Sequence, residues 1–152
     1  MKIKKLIFLL GMFFFCFCFQ SFYGIKIPQE NITQVKAILL AETFVKENGY
    51  TLSKPNRSKL KFEGYDNQAN IDEVLNMRYN NFYEKAFCIS EDVRGWHVGF
   101  LSTSVDIKKM TKKQKQSDLS GRAVFVSKNG KEIYIMHKDP RFSFFKKLEF
   151  KK

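Results

Sequence analysis

The chain has 152 residues, and its 27 Lys and Arg against 15 Asp and Glu give a formal net charge of +12. That length fits a single domain, and three cysteines, of which Cys16 and Cys18 lie near the N-terminus, exclude a disulfide-stapled scaffold. Lys, Asn and Phe are abundant together, as AT-rich coding produces, so the charge argues for attraction to anions in general and not for nucleic-acid recognition.

Lys2, Lys4 and Lys5 precede Leu6 to Phe19, an uncharged apolar run of 14 residues. This is the pattern of a secretory signal, and it is shorter than the roughly 20 residues of a spanning helix, so a cleaved signal over 1–24 is expected rather than an uncleaved anchor. A lipoprotein through Cys16 or Cys18 is disfavoured by the bulky Phe15 and Phe17. The expected mature domain, 25–152, has 128 residues and a net charge of +9, and it is placed in the periplasm or otherwise exported. Only Cys88 remains there, so an exported fold without bridges must rely on packing. A chain of this size buries about two-thirds of its unfolded surface.

From Ile32 to Asn48 the apolar residues recur at helical spacing, with Val35, Ile38, Leu39 and Val45 on one stripe and Ala37, Leu40, Ala41 and Phe44 beside it. So broad an arc predicts a helix substantially enclosed across a sheet, ended by Gly49 as the residue after the cap. Tyr50 to Tyr65 is irregular, except that Lys59 to Glu63 alternates like a short edge strand. Asn70 followed by Glu73 resembles a capping box opening a short helix to about Arg78, with Ile71, Val74 and Leu75 inward. The period then changes to two. Tyr83 to Ser90 reads as one strand, Asp92 to Gly95 as a turn, and Gly95 to Ser104 as a second strand with Trp96, Val98 and Phe100 on one face.

Asp106 to Ser120 is a connection with lysines at 108, 109, 112, 113 and 115. A stretch of this length is either a solvated loop or a docking arm for an acidic partner or an anionic membrane surface. Gly121 to Asp139 follows as a hairpin. Asn129-Gly130 favours a two-residue type I′ turn, which sets Val126 opposite Ile133, Phe125 opposite Tyr134, Val124 opposite Ile135 and Arg122 opposite His137. One face is then aliphatic, through Val124, Val126, Ile133 and Ile135. The other carries Phe125, Tyr134 and Met136 and is a core, a cavity wall or an interface. The aromatic, lysine-rich tail from Phe142 either packs as a short last element or frays. The sum is an α+β fold, with N-terminal helices packed on a curved antiparallel sheet of about four strands.

Chemistry is sparse. The sequence contains no HExxH, no Cys-His cluster, no GxSxG, no P-loop and no GxGxxG, and no cofactor or metal is expected. His137, near Asp139 and opposite Arg122, is the one constellation worth testing as a general base. Cys88 reads as a small buried side chain and Trp96 as a core anchor or an interface anchor.

The combination VKENGY (Val45 to Tyr50), GWHVGF (Gly95 to Phe100), GRAVFV (Gly121 to Val126) and EIYIMHKD (Glu132 to Asp139) resembles the NTF2-fold immunity proteins of bacterial polymorphic toxin systems, over roughly Ile32 to Phe142. An export signal and a lysine-rich loop are departures from the family core. The resemblance implies a cone-like NTF2-type sheet, for which a flatter cystatin-like sheet is the close alternative. It also implies a non-catalytic protein that binds and occludes a cognate toxin. On that reading the partner-binding residues are Trp96, Arg122, Phe125, Tyr134 and His137, with Lys108, Lys109 and Lys112 steering an acidic partner. The alternative is an NTF2-like small-ligand-binding or enzymatic domain using a pocket between helix and sheet near His137 and Asp139.

Overall fold

Helix α1, Gln34–Glu47, opens at Thr33, whose hydroxyl accepts from the Lys36 amide at 3.3 Å. It closes in a Schellman arrangement: Gly49 takes φ +78, its amide bonds Lys46 O at 3.1 Å, and the Tyr50 amide bonds Val45 O at 2.9 Å. The apolar contact that accompanies this motif is the Phe44–Tyr50 ring pair, 6.4 Å between centroids. Helix α2, Ile71–Arg78, is capped as expected, because the Asn70 side chain accepts from the Asp72 and Glu73 amides.

A computed structural model describes residues 30–64, 66, 70–109, 118–138 and 140–148. The expected signal over 1–24, Lys112 and Asp139 lie outside the described residues. The two helices pack against an open, fully antiparallel sheet of five strands: β1 Cys88–Glu91, β2 Gly95–Leu101, β3 Gly121–Ser127, β4 Ile133–Ile135 and β5 Lys146–Lys147. The order across the sheet is β4-β3-β2-β1-β5. The α+β reading therefore holds. Among the described residues no helix is long and apolar enough to cross a membrane.

Strand alternation divides the sheet. On the inner face Ile89, Val98, Phe100, Val124, Val126 and Ile135 are buried against Ala37, Ala41, Phe44 and Val45 of α1. On the outer face a smaller cluster joins Phe87, Cys88, Leu101 and Leu119 to Phe142 of the tail. A Cβ at Gly99 would stand 2.4 Å from Cys88 Sγ and 2.9 Å from Phe142, so glycine is what lets the tail ring lie on the sheet.

The β3–β4 register is the one the sequence predicts, Val124↔Ile135, Phe125↔Tyr134 and Val126↔Ile133. The turn is not type I′. Of its residues only Gly130 has positive φ (+71); its amide closes on Ser127 O at 2.8 Å, and the Glu132 amide turns to Ser127 Oγ at 3.0 Å. Lys128 and Lys131 join the loop instead of pairing, which keeps the register because one residue is gained on each side. Tertiary contact selects the wider turn: the Ile32 amide donates to Lys128 O at 2.7 Å, and a Cβ on Gly130 would meet Ile32 and Leu40 at 3.2 Å.

Other expectations are corrected. Val35 and Leu39 are 68% and 54% exposed, so α1 is covered on one side only and lies on the sheet surface instead of being enclosed. Lys59 to Glu63 is no strand; a single 3-10 turn, Arg57–Lys59, leads into irregular chain. The first strand begins at Cys88, not Tyr83, because the Ala86 amide goes to Glu42 Oε1 of α1 (3.2 Å) rather than into the ladder. The second stops at Leu101, after which the Thr103 amide bonds Asn81 O at 3.1 Å. The tail contributes β5, the fifth strand, pairing Lys146 and Lys147 with Ile89 and Cys88.

Arg78 is the largest fully buried side chain. Its guanidinium pairs with Asp66, whose carboxylate is 1% exposed, bonds Lys61 O at 2.9 Å and Asn48 O at 3.3 Å, and lies 4.6 Å from the Tyr50 ring centroid. Removing one partner of such a pair strands a buried charge, so Asp66→Ala is expected to lower unfolding free energy by about 3–5 kcal/mol, read from urea denaturation.

Candidate functional site

Two places gather functional side chains, one on each face of the sheet. The first is a cavity of about 580 Å³ on the inner face, lined by Tyr50, Asn81, Phe82, Ser102, Ser120, Gly121, Arg122, Ile135 and His137. It exists because α1 packs over β2, β3 and β4 but ends at Glu47, with its Schellman turn closing at Tyr50, leaving the sheet end marked by Leu101 and Gly121 uncovered. The floor is a ladder of rings: Tyr50 lies 6.4 Å from Phe44 and 5.6 Å from Phe82, and the Phe82 amide bonds Tyr50 O at 2.8 Å. Arg122 and His137 reach the rim because their register positions share the inner face with Val124 and Ile135.

Behind this rim sits Glu63, 8% exposed. Burial pushes its carboxyl above the ordinary range and the Asp66 carboxylate adds to this, while the Arg78 guanidinium and a hydrogen bond from the Ile135 amide oppose the shift. Glu63 and the Lys61 ammonium, which donates to Ile133 O at 3.2 Å, cap the outward edge of β4 with side chains. The alternation of Lys59 to Glu63 thus marks chain lying along an edge strand without backbone pairing.

The second place is the outer face of β3 and β4. Phe125 is buried beneath Tyr134, 5.0 Å away and tilted, and His97, 5.4 Å away and edge-on, with Arg94 5.9 Å from its ring. Tyr134 is 42% exposed. A groove of about 310 Å³ runs on from there, lined by Ser90, Asp92, His97, Met136, Lys138, Pro140, Arg141 and Phe145. In it His97 Nε2 lies 3.0 Å from Asp92 Oδ2 and His97 Nδ1 lies 3.2 Å from Met136 Sδ.

The residues singled out from the sequence therefore separate. Phe125 and Tyr134 stay together on the outer face, and Arg122 and His137 meet in the inner cavity. Trp96 is on the inner face at the opposite end of the sheet, half-buried against the core, with Lys128 Nζ 5.1 Å from its ring. Lys108 and Lys109 are exposed in a 3-10 turn, Ile107–Lys109, where Lys109 pairs with Asp106 at 3.4 Å. Among the described residues no group of three His, Cys, Asp or Glu side chains is placed to hold a metal. Sequence reasoning missed Tyr50, Glu63, Asp92 and Arg78. For the last a signal exists: Arg78 falls four residues after Val74 and seven after Ile71, on the apolar stripe, where a charge must have a buried partner.

Compared with known proteins, the chain matches no family model, no curated protein and no solved structure.

The Asp92 carboxyl gives a pH prediction. Burial pushes it up, but hydrogen bonds from His97 and from the Arg94 and Gly95 amides outweigh this and hold it at about 2, against 3.8 ordinarily. A depressed carboxyl stabilises the fold above its unfolded pKa and loses that contribution as pH falls through the folded one. The stability difference between the native chain and Asp92→Asn is expected to be full at pH 5 and to shrink between about pH 4 and pH 2. Urea titrations at pH 5, 3 and 2 check this, and because Asp92 is partly exposed the effect is modest.

Proposed function

We propose that the chain is an exported immunity protein that binds a cognate toxin and blocks it by occlusion. The observation that carries the reading is the bare aromatic patch on the outer face of β3 and β4, with Tyr134 exposed over a buried Phe125. An aromatic ring held rigidly by a second ring loses little entropy on contact, which is what makes tyrosine a strong interface anchor. The patch continues into the groove that carries Lys138 and Arg141, and Arg94 stands at its other side. A basic rim on an expected mature domain of +9 selects an acidic surface on the toxin and speeds its approach. The resemblance of the GWHVGF, GRAVFV and EIYIMHKD segments to immunity proteins points the same way, and the N-terminal export pattern favours a target in the envelope. In this arrangement Phe125 acts as the support for Tyr134, and Trp96, facing the other side, belongs to the fold.

The test is co-purification of the exported chain with the protein encoded by the neighbouring gene. A one-to-one complex is expected, with Tyr134→Ala weakening it by about 30-fold, which corresponds to about 2 kcal/mol, and with association slowing as salt is raised. The result that would overturn the proposal is the absence of a complex, together with no protection of cells exposed to that neighbour.

A further inference from the structure

The inner cavity is not used by the toxin contact, which lies on the other face of the sheet, and its wall is divided chemically. Tyr50, Phe82 and Ile135 form a buried apolar floor, whereas Asn81, Ser102, Ser120, Arg122 and His137 at the rim are exposed or half-exposed. Among the described residues that line it, two can carry positive charge, four (Tyr50, Asn81, Ser102 and Ser120) have uncharged hydrogen-bonding groups and none is a carboxylate. Its volume, about 580 Å³, falls within the roughly 300–1,000 Å³ of ligand pockets.

Each part of the wall narrows the ligand class. A floor continuing the Phe44–Tyr50–Phe82 ring ladder gains by burying a flat apolar body, since offset ring contacts add to the area term. A guanidinium at the mouth offers several donors in one plane, which a carboxylate or phosphate accepts in pairs even when another group already holds part of it. The Tyr50 ring is itself fixed, with Arg78 4.6 Å from its centroid, so the floor is organised before any ligand arrives. An uncharged apolar molecule would leave the rim donors to water and gain only the floor.

We propose that this cavity binds a small amphipathic anion, with its planar apolar body on Tyr50 and Phe82 and its carboxylate or phosphate at the rim on Arg122 and His137. The site is independent of the toxin-binding reading.

The experiment is an amide-resolved NMR titration of the full exported chain with benzoate and with phenyl phosphate, using benzyl alcohol as the uncharged control. Saturable shifts confined to Ser102, Ser120, Gly121, Arg122 and Ile135 are expected for at least one anion, which identifies the preferred head group. Binding should be at least about tenfold weaker for benzyl alcohol and for Arg122→Gln, and should weaken with salt. Ser120→Phe, at an exposed loop position where the ring fills the mouth, should abolish binding while leaving amide positions elsewhere unchanged. Tyr134→Ala should leave probe binding intact, which separates this site from the outer face. Absence of saturable shifts with both anions would overturn the proposal. So would benzyl alcohol binding as tightly as the anions, or a folded Arg122→Gln chain binding as the native one does.

Discussion

The buried guanidinium of Arg78 is the constraint on which much of the molecule depends. A fixed positive charge out of water must be met by acceptors, and the chain supplies them from three separate places: Asn48 O after α1, Lys61 O in the irregular segment, and the Asp66 carboxylate. One side chain therefore ties the end of α1, the chain along the β4 edge and α2 into a single arrangement. Its stacking on Tyr50 extends that order to the cavity floor. The Asp66 carboxylate also accepts the Glu63 amide at 2.5 Å, which places Glu63 beside β4, where its own carboxyl is desolvated.

A helix on one side and a short tail on the other cover a five-stranded sheet incompletely, and the uncovered parts are where function is available. On the inner face α1 runs over β2 to β4 and stops at its Schellman turn, so the far end of β2 and β3 opens into a cavity with a polar rim. On the outer face Phe142 and Phe145 cover the Cys88–Gly99 region and leave β3 and β4 to an exposed aromatic pair. The Asp92–His97 pair and Met136 lie in the groove between these two regions. The two candidate sites have opposite character. One is concave and suited to a small molecule, and the other is shallow, ringed and basic, suited to a protein surface.

Local signals were read where neighbouring residues suffice to produce them. The Asn70 cap, the Gly49 stop, the two-residue period of Gly95 to Leu101 and the β3–β4 register follow from short-range backbone chemistry and side-chain alternation, and the structure has them. The conformation of the 127–132 turn was misread because Ile32 and Leu40, about ninety residues earlier in the chain, crowd Gly130 and no local preference carries that information. The start of β1 was misread for the same kind of reason, since a glutamate on α1 captures the Ala86 amide. That Arg122 and His137 lie on the face of Val124 and Ile135 was legible from alternation alone, but the rest of the cavity was not, because Tyr50, Phe82 and Ser120 come together only when three loops converge.

By itself, then, the sequence determined an α+β chain with two helices followed by antiparallel strands, and which residues of each strand share a face. These depend on periodicity and capping, and both are properties of residues a few positions apart. Only the tertiary structure decided that Val35 and Leu39 face water, that the tail becomes a fifth strand, and that Trp96 and Tyr134 stand on opposite faces. Those outcomes depend on how much of the sheet one helix can cover and on where a buried charge finds its acceptors, and distant segments settle both together.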